Sequence, residues 1–92
     1  MNFMQDKMKI MKILCNSKRF AIISLLSEIK GGLRVNEIST KVGISQSLAS
    51  HQLSHLETSG VVVSERMGQS VCYMLSSAPI VKKLIKVINL LG

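Results

Sequence analysis

The stretch that decides the fold is residues 35–63, VNEISTKVGISQSLASHQLSHLETSGVVV. It predicts two short amphipathic helices joined by a turn at Gly43, where glycine adopts a left-handed backbone without steric strain. Apolar residues at helical spacing mark one face of each helix: Ile38 and Val42 in the first, Ala49, Leu53 and Leu56 in the second. Two short helices packed in this way form a helix-turn-helix.

The second helix, residues 45–57, combines this apolar face with a polar one. Ser45 is the predicted N-cap, because its hydroxyl accepts a hydrogen bond from a backbone N–H of the first turn. The polar face carries short hydrogen-bonding side chains: Gln46, Ser47, Ser50, His51, Ser54 and His55. Such a face suits the major groove of DNA, so we predict a recognition helix. Helix pairs joined by a glycine turn are, however, also common in all-α domains that bind no DNA.

Two β-favouring runs follow the recognition helix. Residues 61–65 and 71–75 are separated by Met67-Gly68-Gln69, and together they predict a β-hairpin that carries Arg66 near its turn. A hairpin directly after a helix-turn-helix is a wing, here residues 61–75. The second run alternates between two faces: Val71, Tyr73 and Leu75 on one, Cys72 and Met74 on the other.

Two helices are predicted before the helix-turn-helix. The first, residues 4–15, has an apolar stripe made of Met4, Met8, Met11 and Leu14. The second, residues 18–29, begins after a cap at Asn16 or Ser17 and is the predicted central helix. Its apolar face combines aliphatic and aromatic residues: Phe20, Ile22, Ile23, Leu25 and Leu26. Gly31 and Gly32 end it, and Leu33 is predicted to form a short edge strand.

A last helix is predicted from Pro79, which suits the first turn of a helix, with Ser77 as its cap. This helix is apolar on more than one side, so we expect it to pack against a partner. With the methionine-rich first helix it forms the predicted dimer interface, which consists of Met4, Met8, Met11, Ile80, Leu84, Val87 and Leu91.

The composition predicts one small domain, residues 1–92, with more apolar residues than its own core can hide. The sequence is 47% hydrophobic but 3% aromatic, and this aliphatic surplus favours burial between subunits. Twelve Lys and Arg against five Asp and Glu give a formal charge of +7, which favours a polyanionic partner. Solubility alone would require fewer charges.

The sequence also predicts a cytoplasmic protein without enzymatic activity. The first residues, MNFMQDKMKIMKIL, show no secretory cleavage pattern, and no apolar run reaches the ~20 residues that a membrane span needs. Two cysteines do not make a secreted disulfide framework. Serines and histidines cluster on one short helix, and no phosphate-binding loop or catalytic cysteine motif accompanies them.

Three stretches, ILCNSKRFAIISLL, GISQSLASHQLSHLETSGVV and GQSVCYMLS, resemble the second helix, the recognition helix and the second wing strand of a known family. The family is the ArsR/SmtB family of winged-helix bacterial transcriptional repressors, and the resemblance covers roughly residues 10–91. It implies a mainly α fold with a small β-hairpin, a winged helix-turn-helix of five helices plus wing. It also implies a homodimer through the first and last helices, bound to an inverted-repeat operator in double-stranded DNA.

The resemblance further implies roles for individual residues. Five side chains would face the major groove: Ser45, Gln46, Ser47, Ser50 and His51. Gln46 would pair with an adenine edge, and His51 would contact a base or a phosphate. In the wing, Arg66 and Gln69 would contact the backbone or minor groove, while Lys18 and Lys41 are candidate phosphate contacts. Whether Leu48 and Gln52 touch DNA stays open.

The signal that such a regulator would sense is not evident from the residues. Members that bind metals use cysteines in the first helix of the helix-turn-helix or acidic and histidine residues in the last helix. LRVNEIST contains no Cys, and PIVKKLIKVINLLG contains no Asp, Glu, His or Cys. We expect no metal and no cofactor, including at His51 and His55, because a metal there would block DNA. Cys15 and Cys72 are candidate redox residues, although their positions differ from those of thiol-sensing relatives; alternatively Cys15 is a small core residue.

A second function remains open for the same fold. Winged helices also serve as protein-interaction modules without sequence-specific DNA binding, because fold does not determine function. The charge of +7 and the Ser-Gln-Ser and Ser-His pairs favour DNA binding.

Overall fold

A computed structural model of the chain describes residues 3–92, apart from the side chains of Phe3, Met4 and Asp6. Within that range the chain forms five helices and three strands. Their order is α1 (Phe3–Leu14), α2 (Ser17–Ser27), β1 (Leu33–Arg34), α3 (Val35–Val42), α4 (Gln46–Thr58), β2 (Val62–Met67), β3 (Ser70–Leu75) and α5 (Pro79–Leu91). The predicted fold class is confirmed, a mainly α domain with a helix-turn-helix and a β-hairpin. No helix in the described range is long and apolar enough to cross a membrane.

The three strands form one antiparallel sheet in the order β1-β3-β2. Leu33, the predicted edge strand, pairs with Tyr73. The hairpin turn is tighter than predicted, because Met67 pairs with Ser70 and leaves Gly68-Gln69 as a two-residue connection. Gly68 has φ +64 at the first turn position, the pattern of a type II′ turn, whose twist matches that of the flanking strands.

The core is built around α2, the predicted central helix. Ile22 and Ile23 are fully buried, and helices on both sides pack against them. Phe20, which the periodicity also placed on the buried face, is half-buried. The other elements contribute the remaining large buried side chains: Ile38 of α3, Leu53 and Leu56 of α4, Val61 and Val62 at the start of the wing, and Leu84 of α5.

The helix starts follow local capping chemistry at two of three predicted positions. Asn16 caps α2, its Oδ1 accepting from the N–H groups of Lys18 at 3.1 Å and Arg19 at 3.0 Å. Ser45 caps α4 as predicted. The prediction that Ser77 caps α5 is wrong, because Ala78 occupies the N-cap without a side-chain hydrogen bond. Proline at N1 has no N–H, so one fewer donor of the first turn needs an acceptor.

Candidate nucleic-acid interface

The recognition helix α4 presents one polar, exposed face. Gln46, Ser47, Ser50 and His51 are all exposed, whereas Ala49, Leu53 and Leu56 on the opposite side are fully buried. The Ser45 hydroxyl accepts from the Leu48 N–H at 3.0 Å, which leaves its O–H as a donor toward a ligand. All five predicted groove-facing residues are therefore exposed at the start of α4.

The turn between α3 and α4 holds the two helices together. Gly43 has φ +81, and its N–H and that of Ile44 both donate to the carbonyl of Ser39, at 2.9 and 3.0 Å. This is the left-handed C-terminal turn that glycine permits at low cost. Lys41 lies in the last turn of α3 and is exposed, at the same end of α3 as the turn that leads into α4.

Gln52 ties α4 to α2. Its side chain is 7% exposed, and its Oε1 accepts a hydrogen bond from Arg19 Nε at 2.9 Å. Gln52 therefore faces the protein body and not the exposed polar face, while Leu48 is half-buried at the flank. Sequence reasoning missed this contact, because its partners are 33 residues apart and neither belongs to a local motif.

The wing is linked to the far end of α4. Ser64 Oγ of β2 donates to Glu57 Oε2 at 2.7 Å, joining the wing to the last turns of the recognition helix. Arg66 and Gln69 are exposed at the tip of the hairpin. Tyr73 and Leu75 pack on the core, as the alternation predicted, whereas Val71 lies further along the wing and is exposed. The two predicted wing contacts are thus accessible to a ligand.

Exposed cationic side chains lie on α2, α3 and the wing, and Arg34, directly before α3, is paired with a carboxylate. Lys18, at the start of α2, is exposed, like Lys41 and Arg66. Arg34 Nε instead donates to Glu37 Oε1 at 3.2 Å, and the Arg34 backbone N–H donates to the same oxygen at 3.0 Å. These bonds, the backbone one first, hold the pKa of Glu37 below its ordinary value. They also fix the start of α3.

The two cysteines are free thiols in different surroundings. Cys15 is exposed just after α1, so the alternative that it is a small core residue is wrong; Ile13, at 3% exposure, takes the core position. Cys72 is half-buried on β3, between Arg34 of β1 and Glu65 of β2 in the register of the sheet. In the described part of the chain, no three His, Cys, Asp or Glu side chains are grouped as a metal site would require.

The predicted dimer residues divide into two groups. Ile80 is 8% exposed and Leu84 fully buried, so both belong to the protomer's own core and cannot supply contact area to a partner. The stripe that contains them packs against α1 and α2 of the same chain. The side chain of Met4 lies outside the described residues. Val87 is half-buried, and the other three predicted residues are exposed: Met8 at 54%, Met11 at 57% and Leu91 at 69%. Leu90, which was not among the predicted residues, is 85% exposed.

Known proteins resemble this chain in both sequence and structure. A family model described as "Bacterial regulatory protein, arsR family" matches residues 16–64, over half of the chain. The transcriptional activator HlyU of Vibrio cholerae is 33% identical over 80 residues, which cover 87% of this chain and 71% of HlyU.

Two solved structures show the same fold. The transcriptional repressor BigR of Xylella fastidiosa superposes with a TM-score of 0.82 at 26% identity, covering 94% of this chain and 83% of BigR. The homodimeric winged helix-turn-helix DNA-binding domain of Mb0332 from Mycobacterium bovis has a TM-score of 0.74 at 25% identity, covering 96% of this chain and 76% of that one. The chain belongs to the arsR family of bacterial regulatory proteins, and it is a DNA-binding transcriptional regulator with a winged helix-turn-helix fold.

Proposed function

We propose that the protein represses transcription by binding an inverted-repeat operator as a homodimer. In each protomer α4 enters the major groove, and the wing contacts the backbone or minor groove of the flanking DNA. The observation that carries this proposal is the division of α4 into a fully buried apolar face and an exposed face of short hydrogen-bonding side chains. The formal charge of +7 adds a general attraction for phosphates.

Each exposed side chain of α4 has chemistry that suits a base edge. The Gln46 amide can both donate to and accept from an adenine, a bidentate pairing that other bases do not offer. Ser47 supplies a shorter donor and acceptor directly after Gln46, and Ser50 and His51 supply further ones about one turn along the helix. Lys18, Lys41, Arg66 and Gln69 are proposed to contact the sugar-phosphate backbone or the minor groove and set the register of the protein on the duplex.

The dimer that we propose uses the exposed apolar side chains of α1 and of the last turn of α5. Met8 and Met11 of α1 and Leu90 and Leu91 of α5 are large apolar side chains exposed by more than half. Such a surface is typical of a protein–protein contact. A twofold dimer of this kind presents two copies of α4 to the two half-sites of an inverted repeat. The homodimeric structure of Mb0332 supports this arrangement.

The decisive test is fluorescence anisotropy of the reduced protein on its own upstream DNA and on a scrambled duplex, across a salt series. We expect tight binding to the upstream DNA alone that survives moderate salt. The double variant Ser47→Ala/His51→Ala should bind both duplexes with equal affinity. Lys41→Ala is the matched control, because loss of one phosphate contact in each protomer of the dimer should reduce the salt slope by about 1.8 and leave discrimination unchanged.

Equal and steeply salt-dependent binding of the wild-type protein to both duplexes would contradict the proposal. The charge of the domain would then act as a general field for polyanions, and a protein-interaction module would be the better function. Repeating the anisotropy titration with oxidised protein tests whether oxidation of Cys15 and Cys72 changes DNA binding. We propose such oxidation as the candidate signal.

The dimer interface has a test of its own. Met11→Glu places a charge on the proposed surface, where Met11 is 57% exposed, so we expect light scattering to show a monomer with unchanged helical content. Val63→Glu is the matched control: Val63 is an exposed valine of the wing, 43% exposed, outside the proposed interface. A dimeric Met11→Glu protein would remove this assignment.

A further inference from the structure

Gln52 is a buried polar residue on a helix whose other buried side chains are apolar. It faces the protein body, 7% exposed, and its Oε1 accepts from Arg19 Nε at 2.9 Å. We propose that this hydrogen bond fixes the orientation of the recognition helix, so that Arg19 and Gln52 determine operator specificity as positioning residues without touching a base. The inference rests on the proposed operator binding and adds two residues to those that determine operator specificity.

The apolar contacts of α4 alone do not fix its rotation. Leu53 and Leu56 hold the helix against the core, and α4 packs more extensively on α3 than on α2. Hydrophobic burial is non-directional, and it tolerates a small rotation about the helix axis. A hydrogen bond instead weakens steeply outside a narrow range of distance and angle. The Arg19–Gln52 bond therefore supplies a directional restraint between α4 and α2.

The donor of this hydrogen bond, Arg19, belongs to the central helix of the core. Arg19 lies in the first turn of α2, where its backbone N–H donates to the capping side chain of Asn16 at 3.0 Å. Three and four residues further along the same helix, Ile22 and Ile23 are fully buried in the core. Gln52 is thus attached to the helix around which the core is built.

A small rotation at Gln52 has a large effect on the exposed face. Side-chain tips lie about 5–6 Å from the axis of a helix, so a rotation of about 10° moves them by about 1 Å. Hydrogen-bond lengths in proteins span about 0.5 Å, so such a displacement degrades the contacts of Gln46 and His51 with base edges. We expect the ratio of operator to scrambled affinity to fall about tenfold when the restraint is lost.

The test uses Gln52→Met, which removes the acceptor with little change in volume. Arg19 is half-buried and can turn its guanidinium to water, so we expect a folded dimer. Gln52→Glu is the conservative control, because its carboxylate still accepts from Arg19. Anisotropy should show the affinity ratio reduced about tenfold for Gln52→Met and retained for Gln52→Glu. The salt slope should stay unchanged in both, since a side chain that is 7% exposed contacts no phosphate.

A second variant keeps the proposal testable if Gln52→Met unfolds. Arg19→Met/Gln52→Leu replaces both partners by apolar side chains, a change that can be nearly neutral for stability. A folded variant of either kind with full discrimination would show that the bond is merely structural and would overturn the inference. A reduced salt slope in Gln52→Met would also overturn it, because phosphate contacts would then have been lost. Failure of the wild-type protein to discriminate would refute the proposed function itself, which separates the two failures.

Discussion

Replacement of Gly32 by alanine should destabilise the domain far more than the same change at its neighbour Gly31. Both glycines have positive φ, +82 and +89, in the connection that leads from α2 into β1. A Cβ added at Gly32 would lie 2.8 Å from the carbonyl oxygen of Tyr73 and 3.2 Å from Met74 Cε. A Cβ at Gly31 would meet nothing within 4 Å. The pair therefore separates backbone strain from steric contact.

The magnitudes follow from these two contributions. A left-handed backbone costs an L-residue about 1–2 kcal/mol, and both variants incur this strain. Overpacking adds about 1–3 kcal/mol at Gly32, because the contact is with a backbone oxygen and not with the end of a flexible side chain. Tyr73 is held in register opposite Leu33, so relief would disturb the β1–β3 pair. We expect a loss of about 2–5 kcal/mol for Gly32→Ala and about 1–2 kcal/mol for Gly31→Ala.

Urea unfolding followed by circular dichroism measures both losses. The two variants and the wild-type protein must be compared at one protein concentration, because dimerisation makes apparent stability concentration-dependent. A lower midpoint for Gly32→Ala than for Gly31→Ala, at similar slopes, is the expected result. Equal midpoints for the two variants would refute the reasoning, since the contact with Tyr73 would then carry no cost.

Three further changes test other parts of the fold. Leu84→Ala should cost about 2–5 kcal/mol in the free energy of unfolding, because the side chain is fully buried in the protomer; a shift from dimer to monomer without loss of stability would contradict this. Ser45→Ala should cost about 1 kcal/mol in urea unfolding through loss of the α4 cap, while Ser54→Ala on the exposed face of the same helix should cost less than half of that. Glu37 should titrate by NMR with a pKa below its ordinary value, and in Arg34→Ala that pKa should return only part of the way, because the backbone N–H of residue 34 still donates to the carboxylate. The stabilisation that the Glu37 carboxylate provides is present above the ordinary pKa and is lost as pH falls through the lowered one. An unshifted pKa in the wild-type protein would exclude the hydrogen bonds from Arg34.

The helix-turn-helix was predictable from sequence because its determinants are local. Gly43 and Ser45 act within one helical turn of their own positions, through a left-handed backbone and a side-chain cap. The buried face of α4 follows from a 3.6-residue period, which needs no knowledge of the partner that covers it. The exposed polar face then follows as its complement, and so does the exposure of the five residues that we predict to face the groove.

The features that sequence reasoning missed depend on which distant element lies opposite. Leu84 belongs to an apolar stripe, but the sequence pattern does not show whether the same chain or a second copy covers that stripe. In the structure, α1 and α2 of the same chain cover it. The Arg19–Gln52 bond joins residues with no shared motif. Cys15 is exposed because Ile13, two residues earlier, fills the core position at the end of α1.

The order of the strands has a consequence for how the chain folds. β2 and β3 are joined by two residues, so their hairpin needs almost no loop closure, whereas Leu33 and Tyr73 pair across about 40 residues. Closing a loop of that length costs about 3 kcal/mol of chain entropy, and it is repaid only when the enclosed residues pack. Those enclosed residues are α3, α4 and β2. We therefore expect β1 to pair with β3 late in folding, when α3 and α4 pack, and a chain that ends before Ser70 lacks the strand with which β1 pairs.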